Sequence, residues 1–122
     1  MSISSLYTKT VSPDYNCAHF VADAFKVLNG KDITEQLKGF LLPLGKRSTS
    51  VFIRKNFKRI DTPVDNCIVA MHSPKVEPHV GLYRAGKGES QVMHLTSLGV
   101  HFVPLEIATF GFSQVRYYQC LV

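Results

Sequence analysis

The sequence predicts an α+β fold, helices packed on one side of an antiparallel sheet of about five strands. Three observations carry that expectation. Apolar residues recur at helical spacing near the start of the chain, the apolar period shortens to that of strands after Pro63, and turn signals separate the later runs closely enough for neighbouring strands to pair antiparallel. The 122 residues are one domain's worth. With 45% hydrophobic and 19% charged residues, the composition supports a packed core and argues against wholesale disorder.

The first residues are polar and run into Ser12-Pro13-Asp14, so 1–13 is expected to be an irregular N-terminal arm. From Cys17 to Leu28, the residues Ala18, Phe20, Val21, Ala24, Phe25 and Leu28 fall on one face of an amphipathic helix. Asn16 or Asp14 can cap its start, and Asn29-Gly30 is its stop signal. A short second helix is expected within residues 32–45, broken by Pro43 and Gly45. A third is expected over Ser48–Ile60, with Phe52, Ile53, Phe57 and Ile60 on one side and Arg54, Lys55, Lys58 and Arg59 on the other. Strands are then expected over Cys67–Met71, His79–Arg84, Gln91–Leu95, Val100–Val103 and Gln114–Leu121. Ser73-Pro74, Gly86-Lys87-Gly88 and Leu98-Gly99 are the turns between them.

Fourteen Lys and Arg against nine Asp and Glu leave a net charge of +5, which suits acidic surroundings without choosing among them. Lys46, Arg47, Arg54, Lys55, Lys58 and Arg59 are expected to form a solvated basic face or a dock for anionic cell-wall polymer, membrane headgroups or a partner protein. No aromatic-basic interleaving accompanies this charge, so no nucleic-acid partner is expected. No apolar run is long enough for a transmembrane segment, and residues 1–15 lack the apolar core of a secretory signal. Three cysteines, none in a C-x-x-C pair, argue against a disulfide scaffold or a thiolate zinc site, and the five histidines lack ligand spacing, so no metal is expected.

Cys17 opens the strongest helix, where unpaired backbone N–H groups and the helix dipole favour a thiolate; the competing reading is a small buried helix residue. A thiol nucleophile needs a base that takes its proton and returns it to a leaving group, and histidine does this near neutral pH. His79 opens a strand whose Gly81 leaves room for close packing. The turn at 86–88 would place His94 on the neighbouring strand, where it could hydrogen-bond the far nitrogen of the His79 ring. Cys67 and Cys120 read as packing residues, and His72 and His101 as surface residues.

The segment Asn16-Cys17-Ala18-His19-Phe20-Val21 resembles the nucleophile motif of NlpC-type cell-wall cysteine peptidases. Val64 to Met71, His79-Val80-Gly81-Leu82-Tyr83, Gln91-Val92-Met93-His94-Leu95 and Val115-Arg116-Tyr117-Tyr118 are similar to the strands that follow in that family, and in the same order. The resemblance implies a minimal papain-like fold in which Cys17 is the nucleophile, His79 the general base and acid, and His94 the orienting group. The backbone N–H of Cys17 would join an oxyanion hole, and Tyr15 and His19 would stand at the substrate. It implies cleavage of a peptidoglycan stem peptide, usually between γ-D-glutamate and diaminopimelate, without metal or cofactor. Short members of this kind imply a phage tail or baseplate protein, found in the virion or in the bacterial cytoplasm before assembly. Ala18-His19 departs from the family's Ser-Gly, so His19 would either crowd the cleft or supply a polar group. Two further readings are a structural tail protein that keeps the fold with little activity, and a lipid acyltransferase or thioesterase that uses the same dyad.

Overall fold

The computed structural model describes residues 3–37, 40, 53–74, 76–86 and 88–121. The helices are α1 (Ile3–Leu6), α2 (Cys17–Asn29), α3 (Thr34–Leu37), a turn at residues 53–56 (α4) and α5 (Leu105–Ala108). The strands are β1 (Phe57–Ile60), β2 (Ile68–Ser73), β3 (Val76–Ala85), β4 (Ser90–Thr96), β5 (Gly99–Pro104) and β6 (Gln114–Cys120). They form one antiparallel sheet in the order β1-β6-β2-β3-β4-β5, so the fold is α+β.

The alternation of side chains along each strand divides the core into two layers. Ile68, Ala70, Val80, Leu82, Met93 and Leu95 face α2 and pack with Phe20, Val21, Ala24 and Phe25. Cys67, Val69, Met71, Tyr83 and Val92 form the opposite layer with Ala108 of α5, and Leu105 and Phe112 pack against it. The helix α2 ends where its sequence requires, at Gly30, whose φ of 76° is a left-handed cap that glycine adopts without strain. At its start Asn16 is the cap, and Asp14 lies in the turn bridged by Ser12 and Tyr15.

The expected third helix is overturned at its C-terminal end. Residues 53–56 are helical, but Phe57–Ile60 is β1, paired with β6 from Phe57↔Cys120 to Ile60↔Tyr117. The spacing of Ile53, Phe57 and Ile60 suits a helix, yet pairing along β6 satisfies the backbone and sets the Phe57 ring edge-on to Phe40 at 4.9 Å. Among the described residues the sheet has six strands, β1 being added to the five or so expected. The break at Pro43 and Gly45, the start at Ser48, Phe52, and the basic residues Lys46 and Arg47 lie outside the described residues, as does Lys87 of the hairpin turn.

The N-terminal arm is not irregular throughout, because Ile3–Leu6 is helical and Leu6 is fully buried against the α2 layer. β3 begins at Val76 rather than His79, which puts His79 inside the strand opposite Met71 of β2. His72 is a half-buried residue of β2 rather than a surface loop residue, and burial, reinforced by the Arg116 charge, lowers its pKa. His101 is half-buried as well, held by a 2.9 Å hydrogen bond between its Nε2 and Thr96 Oγ1. Cys67 directly precedes β2 and is only 1% exposed, and burial pushes its thiol up to about 11, which leaves it inert. None of the three cysteines forms a disulfide.

Candidate active site

Three element ends meet at one margin of the sheet: the start of α2, the early residues of β3 and the end of β4. The cleft there has a volume of about 400 Å³ and is lined by Cys17, His79, His94 and Thr96 together with Val11, Pro78, Leu95 and Phe112. The three residues expected to carry chemistry thus share one cavity, although Cys17 and His79 lie 62 positions apart in the sequence.

Cys17 is placed by its helix. The Asn16 side-chain oxygen accepts the backbone N–H groups of Ala18 and His19 at 3.0 and 3.2 Å, which fixes the first turn of α2. His19 Nδ1 in turn accepts the Asn16 backbone N–H at 3.1 Å, completing a reciprocal capping box. That box ordinarily ends in Glu or Gln, and Asn-x-x-His is the sequence signal for the same device here. The Tyr15 ring stacks on His19 with centroids 5.8 Å apart, and its hydroxyl donates to Asp23 at 2.6 Å. Burial and the Asp23 carboxylate hold that hydroxyl well above its ordinary pKa. Neither Tyr15 nor His19 is among the residues that line the cleft; both brace the helix start that carries Cys17.

The two histidines are joined directly. His79 Nε2 lies 2.8 Å from His94 Nδ1, with the rings edge-on at 5.0 Å and 68°. One face of His79 is covered by Phe112, stacked at 6.2 Å and 10°. His94 is 8% exposed and is followed across the β4–β5 ladder by His101, whose ring lies 5.6 Å away. Burial lowers both His79 and His94 to about 4, with the charges of His79 and His101 acting further on His94. Both rings are therefore neutral at neutral pH.

Gly81 makes this bond possible. A Cβ at that position would lie 2.5 Å from Val92 Cγ1 and 3.2 Å from the Cβ of His94, so a side chain there would force β4 away from β3. The sequence marks Gly81 as a close-packing position and names the residue that the space accommodates only through the hairpin register. Phe112 and Val11 carried no sequence signal for the cleft, since each lies in an irregular segment that tertiary packing brings to it.

With Nε2 of His79 engaged by His94, its Nδ1 is the nitrogen left to exchange a proton with the cleft. For Nδ1 to accept, Nε2 must bear the hydrogen and donate it to His94 Nδ1, and His94 must then carry its own hydrogen on Nε2. The arrangement selects one tautomer of each ring. It can take a proton from a nucleophile and return it to a leaving group. Among the described residues no group of three or more His, Cys, Asp or Glu is placed to hold a metal ion. No helix among them is long and apolar enough to cross a membrane. Comparison with protein-family models, with curated proteins and with solved structures finds no match in any of the three.

Proposed function

We propose that the protein is a cysteine hydrolase that works by acyl transfer through Cys17, His79 and His94. The observation that carries this reading is the part-buried His79–His94 hydrogen bond in the cleft that Cys17 also lines. The Cys17 thiol gives its proton to His79 Nδ1 as the sulfur attacks the substrate carbonyl. The tetrahedral intermediate collapses to a thioester as the imidazolium protonates the departing amine. Water then attacks the thioester, losing its proton to His79, and the carboxylic acid leaves as the thiol is restored. His94 touches no reacting atom and is a positioning residue. Cys17 is the first residue of α2, and the positive end of that helix would favour its thiolate and the developing oxyanion.

The substrate proposed first is an amide bond of a peptidoglycan stem peptide, on the ordered resemblance to the NlpC-type peptidases, with a phage tail or baseplate as the setting. A second reading, hydrolysis or transfer of an acyl ester or thioester, is favoured by the apolar walls that Val11, Pro78, Leu95 and Phe112 give the cleft. Incubating purified peptidoglycan with the wild type and with Cys17→Ala, then weighing the released fragments by mass spectrometry, tests the first. Fragments with new amine ends from the wild type alone support it. Equal release by both proteins, or none by either, removes it.

A further inference from the structure

A second groove, of about 330 Å³, adjoins the cleft, and the two meet along His94, Thr96 and Ser97. Its remaining walls are largely aliphatic, with Leu98 from the β4–β5 turn, Val103 from β5 and Ile107 from α5. Leu98 is 87% exposed and Ile107 64%, a solvation cost that neither the turn nor the short helix requires of its residue type. Both side chains contribute little to the core, while both border a groove that ends beside the reactive cleft.

We propose that this groove is a subsite for an aliphatic group of the substrate, and that Leu98 and Ile107 determine its specificity. The occupant is the part of the substrate that extends past His94 from the reacting centre, because the groove joins the cleft there. The inference rests on Cys17 being the reactive group of the cleft, and is independent of which bond is cut.

N-alkyl iodoacetamides with chains from methyl to hexyl test it without turnover. The Cys17 sulfur displaces iodide and forms a thioether, read at that residue by peptide mass mapping, with each rate divided by that for glutathione. The relative rate at Cys17 should rise about tenfold or more from methyl to hexyl, since each methylene buried contributes severalfold. In Leu98→Ser/Ile107→Ser the rise should shrink to about twofold, with the methyl reagent's rate unchanged. Both substituted residues are exposed, so the variant keeps its fold, and Val64→Ser, an exposed apolar position outside the groove, should behave as the wild type. A flat series, or a rise that survives in the double variant, overturns the inference. A chain-length rise together with inactivity on peptidoglycan would uphold the subsite while removing the stem-peptide reading.

Discussion

In the proposed mechanism the orienting group is His94, a buried neutral imidazole rather than a carboxylate. A carboxylate would offset the charge on His79 as it gains a proton; a neutral ring can only orient it and accept its hydrogen bond. His94→Ala should therefore lower turnover by about a hundredfold or more, while His94→Asn, which keeps an acceptor, should retain most of it. Measurement of kcat beside KM checks this, because a positioning role moves kcat. Burial holds both imidazoles near 4, below their ordinary value of 6.5, so on acidification the unfolded chain binds these protons first. The pair's contribution to stability is complete above about pH 6.5 and is lost progressively as the pH falls to about 4. The melting temperature should drop across that window, and drop less in His79→Gln/His94→Gln. Cys17, His79 and His94 were legible as candidates from their chemistry and local context in the chain, and the structure brings the three to one cleft. The roles of Tyr15 and His19 were not legible, because the capping and stacking that occupy them depend on side-chain directions at the helix start.

The β3–β4 hairpin is the element that holds His79 and His94 together, and Gly81 sets its spacing. Gly81→Ala should destabilise the fold by about 1–3 kcal/mol through overpacking against Val92, with loss of the His79–His94 bond. Urea unfolding and the imidazole NMR signals report the two effects, and adding Val92→Ala should restore part of the stability by opening the space. This hairpin was readable from alternating residues and the Gly-x-Gly turn, and α2 from its period and both caps. Residues 57–60 were not: four residues with apolar ends fit either period, and the partner that decides the matter, β6, lies some sixty residues further on.

At the scale of the molecule, a continuous meander of β2, β3, β4 and β5 is completed by β6, which crosses to the far side of β2 and takes β1 on its outer edge. The resulting corner is sealed by Phe57, Phe40 and Tyr118, whose rings meet edge-on with centroids 4.9 Å apart around Phe40. Phe57→Ala should cost about 3–5 kcal/mol, read as a lowered urea midpoint, and should leave the chemistry of the distant cleft unchanged in whatever fraction stays folded. The meander followed from short links between strands. The crossover did not, because no local signal tells a last strand which edge to join.

The interior position of β6 has a temporal consequence. It is made after the other five strands yet belongs between β1 and β2, so a chain translated only as far as Ser113 has its sulfur, both imidazoles and an unfinished sheet. A polypeptide stopped before Gln114 would leave β1 without its ladder and β2 with a bare edge. Premature release would then yield an aggregation-prone fragment, so the sheet that carries His79 and His94 closes only after β6 has been translated.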